Sequence, residues 1–239
     1  MKICQEQLPQ CNPQPVAQAN CGSGSTYPTK SPQQLDLFPA PRPASIPVDP
    51  ALRGVAEEML AERKFDCYLG LFDSHRRLPA FLDLAPALTN EEYWPLVRSV
   101  WMSSETLYPH AELWFELLQA PRGGRERLMI PSDRRALARM PEELRLYRGC
   151  NSEEGIRGLS WTPDLATAIK FAHYSCGPRR RFLLGGLLPP PGRPRVAVAT
   201  CAKVDVLAYF SGRREHEIVV NPAALTINPG TIGPAAWAP

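Results

Sequence analysis

The chain has 239 residues, 44% of them hydrophobic and 21% charged, with a formal net charge of +3. That length holds one substantial domain plus a tail, and the composition is that of a globular protein rather than a wholly disordered one. A charge so close to balance argues against general nucleic-acid binding, and no apolar run reaches membrane-spanning length, so neither nucleic acid nor membrane is an expected partner.

Residues 1–49 are rich in Pro, Gln, Ser and Gly and show no hydrophobic period, which predicts a disordered tail. Gly22-Ser23-Gly24 follows no strand and opens no helix, so it is not a dinucleotide fingerprint. Met1-Lys2-Ile3 leads into no apolar core segment, and a secretory leader is not expected. The seven cysteines form no C-x-x-C pair and no zinc pattern, so thiols in a reducing cytoplasm and no metal site are the expectation. Within the tail, Gln34-Leu35-Asp36-Leu37-Phe38 resembles the pentapeptide by which bacterial replication and repair proteins dock on the DNA polymerase sliding clamp. In such a tail, two apolar anchors and one amide would enter a preformed pocket, and the resemblance implies the clamp as a partner.

Residues 50–140 read as helical. Leu52, Val55, Met59 and Leu60 have helical spacing within 50–64. Thr89-Asn90-Glu91-Glu92 is a helix start, followed by Trp94, Val97, Val100 and Trp101, with Pro95 near the first turn. Ala111 to Leu118 is a further short helix, and Pro131-Ser132-Asp133 opens one that ends before Pro141. The aromatic residues of this stretch are expected in its core.

From Glu143 the pattern changes to short strands: Leu144 to Arg148, Val196 to Thr200, Val204 to Phe210 and Glu217 to Val220. One helix interrupts them, with Leu165, Ala168, Ile169 and Ala172 on one face and Thr162 as its expected N-cap. Without regular strand–helix alternation, the fold class is α+β, in three parts: tail 1–49, helical portion 50–140 and core 141–239.

Three motifs place polar groups where apolar ones are expected. In Leu144, Leu146 and Arg148 a strand face ends on an arginine, which must either reach the rim or meet an anion. Gly149 lets a backbone come close to a ligand, or Arg148 is an ordinary strand-end arginine. Ser160 and Thr162 share a face if extended, just before a helix N-terminus that favours an anion. Glu215 and Glu217 would lie about 6.6 Å apart along an extended strand. Two carboxylates beside a sugar stabilise an oxocarbenium-like transition state and handle the nucleophile, while the bland reading is an exposed edge paired with Arg213 and Arg214. Charge agrees with an anionic ligand: from Tyr147 onward there are 11 Lys and Arg against 6 Asp and Glu, whereas residues 51–146 carry 13 against 15.

Taken in order, these motifs resemble the Arg–Ser–Glu class of mono-ADP-ribosyltransferases, over about Leu144 to Pro222. The resemblance implies two small, mostly antiparallel sheets around a cleft that binds NAD as substrate, completed by the helical portion. It also implies roles. Arg148 would anchor the NAD ribose and phosphate. Gly149 would contact the nicotinamide amide, and Ser160, Thr162 and Phe171 would belong to the nucleotide site. Glu217 would stabilise the oxocarbenium ion, and Glu215 would orient or deprotonate a macromolecular acceptor, with a protein arginine implied. The chain departs from the family at Trp161, where the family's hydroxyl motif has threonine. NAD glycohydrolase and a non-catalytic clamp-binding module are the alternatives.

Overall fold

Seven α-helices and six β-strands form the described part of the computed structural model, which covers residues 43–104, 110–176, 193–212 and 215–232. The helices α1 (Arg53–Ala61), α2 (Phe65–Gly70), α3 (Ser74–Leu84), α4 (Asn90–Ser103), α5 (Ala111–Leu118) and α6 (Pro131–Ala138) precede the strands. Packing begins before Pro50. Ala44, Ile46 and Val48 lie against the helical core, and Ser45 N donates to Asp83 Oδ2 at 2.7 Å. Their alternation with exposed residues is the period of an extended chain laid on a surface.

Helix α1 stops at Ala61, earlier than the periodicity to Lys64 predicts. Arg63 takes a left-handed φ of 57°, and Lys64 N donates to Met59 O at 2.8 Å, a Schellman-type end. A non-glycine residue there is held by its guanidinium: Nε and Nη2 of Arg63 donate to Glu92 at 2.9 and 2.7 Å, and Nη2 also to Ala87 O at 3.0 Å. Glu92 in turn accepts from Thr89 N and Oγ1 at 2.8 Å, so the start of α4 and the end of α1 share one carboxylate. Pro95 falls in the second turn of α4, not the first.

Burial opposes ionisation of Glu92, yet the bonds from Arg63 and Thr89 together outweigh it and hold its pKa below the usual value. A depressed carboxylate stabilises the fold above its unfolded pKa, and that contribution disappears as pH falls through the folded pKa. Glu92→Gln is therefore expected to cost about 1–2 kcal/mol near neutral pH. In urea unfolding the wild type should lose that advantage as pH falls through the range below the ordinary glutamate pKa. A difference that persists undiminished into acid would contradict this account.

The strands form two antiparallel three-stranded sheets. One has the order β1 (Glu143–Cys150), β3 (Arg195–Ala202), β6 (Thr226–Ile232); the other has β2 (Ser160–Trp161), β5 (Glu217–Val220), β4 (Val206–Phe210). Tyr147 and Thr162 exchange main-chain hydrogen bonds at 2.7 and 2.9 Å and join the sheets. Strand β6 contains Pro229 and Gly230, which obscured it in the sequence. It is an edge strand with a register shift against β3, the setting in which a sheet accepts proline.

Three clusters define the layers. Leu144, Leu146, Ala197, Ala199, Trp161, Tyr209 and Ile218 pack between the sheets. Ala208, Phe210 and Val219, on the other face of the second sheet, join the helical core with Trp94, Trp101 and Trp114. Helix α7 (Leu165–Cys176) covers the first sheet's other face through Ala168 and Ala172 against Val196. Among the described residues, no helix is long and apolar enough to cross a membrane.

Candidate active site

Register decides which side chains meet. Ser160 pairs with Val219 and Trp161 with Ile218, so Thr162 stands opposite Glu217. Directly opposed residues share a face. Ser160, Thr162, Glu217, Val219 and Phe210 therefore lie on the face turned to the helices, and Trp161 on the face between the sheets. Across the diagonal, Ser160 Oγ donates to Glu217 Oε1 at 2.5 Å, a contact between residues 57 positions apart.

Glu217 is 7% exposed and starts the central strand of its sheet. An exposed edge is thus excluded for this carboxylate. A buried anion needs strong donors, and the short bond from Ser160 is one.

Arg148 continues the Leu144–Leu146 face, as the alternation predicts. Its Nε donates to Gly155 O at 2.6 Å and its Nη1 to Ser160 O. The guanidinium thus holds main-chain carbonyls of the segment that delivers Ser160. Gly158 makes this possible: a Cβ there would overlap the Arg148 guanidinium. The sequence reading gave Gly158 no role, and its only local signal is a glycine two positions before Ser160.

Gly149 has a different reason from the one expected. A Cβ at 149 would run into Ala168 O and Ala172 N, so the close approach is that of α7 rather than of a ligand. Gly149→Ala would force the helix backbone away and is expected to cost about 1–3 kcal/mol in denaturant unfolding. An unchanged midpoint would show that α7 yields freely.

Thr162 is not the N-cap of α7. Asp164 is: its carboxylate accepts from Ala166 N at 3.1 Å and Thr167 N at 3.2 Å. The helix end expected to receive an anion already holds a carboxylate from its own chain. Thr162 Oγ1 donates instead to Glu215 O at 2.9 Å, fixing the approach to β5.

Glu215 does not lie on a common strand with Glu217. Between them His216 has φ 49°, a left-handed conformation that costs a non-glycine residue about 1–2 kcal/mol. The extended geometry that would align the two carboxylates is broken at that residue. The ring of His216 lies nearly parallel to that of Tyr209, 19° between planes and 6.3 Å between centroids, with Nδ1 2.7 Å from Tyr209 Oη.

A buried acid that sequence reasoning missed supports the same turn. Asp133, fully buried at the start of α6, accepts from Arg98 Nη2 at 3.2 Å and from Ser211 Oγ at 2.5 Å. Ser211 follows β4, on the way to Glu215.

Phe171 is 40% exposed on α7, whose packing face lies on the side of the first sheet turned away from the second. It is not brought together with Ser160 and Glu217. Gln34, Leu35, Asp36, Leu37 and Phe38, with Arg213 and Arg214, lie outside the described residues. Burial pushes the Cys150 thiol up, with Arg148 and Arg195 only partly opposing, which disfavours a thiolate nucleophile there. Among the described residues, no group of three His, Cys, Asp or Glu side chains is placed to hold a metal ion.

A shallow depression of about 350 Å3 lies elsewhere, lined by Met129, Arg134, Leu137, Glu142, Lys203 and Val204. It shares no residue with this site, and its Lys203 Nζ is already bound to Met140 O at 2.9 Å and Glu142 Oε1 at 2.5 Å. No family model, curated protein or solved structure matches the chain.

Proposed function

We propose that the protein is a mono-ADP-ribosyltransferase that cleaves NAD and passes ADP-ribose to a macromolecular acceptor, with a protein arginine as the favoured nucleophile. The observation that carries this reading is the Ser160–Glu217 hydrogen bond, with Arg148 bound to the Ser160 carbonyl. Arginine, serine and glutamate from three separate motifs meet where two small sheets join.

The chemistry follows from those residues. The bond between ribose C1′ and the nicotinamide nitrogen breaks, and nicotinamide leaves with the bonding pair. Positive charge develops on the ribose, where a fixed carboxylate is worth most in a site with little water. Glu217 supplies that charge, and Ser160 holds the carboxylate by donating to one oxygen. Arg148 contributes its positive charge beside the nucleotide phosphates while its fork holds the loop. The acceptor lone pair forms the new bond to C1′, and its proton passes to Glu215. The face carrying Ser160 and Glu217 is turned to the helices, so the helical portion is the neighbour that a nucleotide on this face would meet.

Incubation of the full chain with NAD labelled in the adenylate, plus cell lysate, tests this. Nicotinamide release with label on protein is the expected result. Release without label on any macromolecule would make the protein a glycohydrolase, and neither release nor label would overturn the enzymatic reading.

A further inference from the structure

The three residues from Glu215 to Glu217 are each fixed by a different side chain, two from the β2 segment and one from β4. Thr162 Oγ1 binds the Glu215 carbonyl, Tyr209 Oη meets His216 Nδ1, and Ser160 Oγ binds the Glu217 carboxylate. The first and last of these belong to the site already described. The middle one lacks a role in it, and it is where the backbone is strained, with φ 49° at His216.

Local geometry explains the pairing. Tyr209 stands opposite Ile218 in the β4–β5 ladder. His216, two positions earlier than Ile218, is the diagonal neighbour of Tyr209 on the same face, within reach of an aromatic side chain. Tyr209 is 3% exposed, so its ring is a fixed platform, whereas His216 is exposed. A phenol hydroxyl donates to Nδ1 when the imidazole proton sits on Nε2. Without that bond, a histidine favours extended backbone, which would carry β5 back to Glu215 and bring both carboxylates onto one face.

We propose that Tyr209 and His216 form a positioning clamp that sets the direction of Glu215 relative to Glu217, and so the division of ADP-ribose between acceptor and water. This rests on the transferase reading above. In both outcomes nicotinamide leaves with the electron pair of its bond to C1′. With the clamp in place, an acceptor nitrogen is oriented at C1′ and gives its proton to Glu215; when Glu215 moves, water takes that position, forms the C–O bond and passes its proton to bulk water. Neither Tyr209 nor His216 touches the reacting atoms.

The test compares full-length wild type with Tyr209→Phe, His216→Ala, His216→Asn and the double variant Tyr209→Phe/His216→Ala. Each is assayed for nicotinamide release without lysate and for label transferred from NAD to lysate protein, beside its thermal midpoint. Tyr209→Phe keeps the ring and removes the hydroxyl. It should lower the ratio of transfer to hydrolysis about tenfold, with a midpoint close to wild type. His216→Ala should do the same, and the double variant should add little, as expected for two ends of one contact. His216→Asn should recover part of the ratio, because asparagine tolerates the left-handed conformation and offers an oxygen to the phenol. Ratios within twofold of wild type in both Tyr209→Phe and His216→Ala, or equal loss of both activities, would overturn the clamp while leaving the enzyme reading intact. A wild type that releases nicotinamide but labels no macromolecule removes the transferase reading and the clamp with it.

Discussion

Glu217→Gln is expected to lower nicotinamide release from NAD by a factor of about 10³ while the protein remains folded. The amide keeps the shape of the side chain and can still accept from Ser160 Oγ, so the diagonal contact survives. What disappears is the negative charge opposite the developing oxocarbenium ion. Replacing a buried carboxylate by a neutral isostere also removes a desolvation penalty, so unfolding should occur at the wild-type denaturant concentration or slightly above it. Single-turnover cleavage of NAD, read beside the denaturant midpoint, separates the two effects. A variant that keeps more than a tenth of the wild-type rate would remove Glu217 from the chemistry.

Asp133→Ala is expected to give the largest loss of stability, about 3–5 kcal/mol. The carboxylate is fully buried, and its removal leaves the Arg98 guanidinium without that partner and Ser211 Oγ without its acceptor. Arg98 also lies over the Phe210 ring, 5.5 Å from its centroid, so it cannot leave for water without uncovering the end of β4. The melting temperature should fall by roughly 10 °C or more. Calorimetry on the purified variant checks this, and a shift of only a degree or two would mean that the three groups find other partners. Below its melting point the variant should also lose activity, because Ser211 no longer anchors the start of the turn that carries Glu215.

What could be read from the sequence is what short-range chemistry controls. Helix α4 announces itself through Thr89 and Glu92, and β5 through an apolar run bounded by a polar turn. The Leu144–Leu146–Arg148 face follows from alternation alone. What could not be read depends on distant partners. Asp133 looks like an ordinary first-turn acid; its burial is decided by Arg98, 35 residues earlier, and Ser211, 78 residues later. Gly149 looks like a ligand-facing glycine until α7 is laid over it. Asp164 takes the cap assigned to Thr162 because Thr162 is drawn to Glu215 across the sheet, a competitor no local window contains. The kink between Glu215 and Glu217 is of the same kind, since a histidine between two strand-like residues reads as extended. Ser160 and Glu217 stand out in the sequence as polar residues beside apolar runs, while their hydrogen bond follows only from the fold.

The main-chain rung between Tyr147 and Thr162 is also a ruler. Sliding one sheet along the other would break both of its hydrogen bonds at once. Arg148 is the next residue after Tyr147, and Ser160 is two before Thr162, so the same rung that sets the offset of the two ladders sets the distance across which the Arg148 guanidinium meets the Ser160 carbonyl. A change that shifts one ladder against the other therefore misplaces Ser160 as well, without touching either side chain.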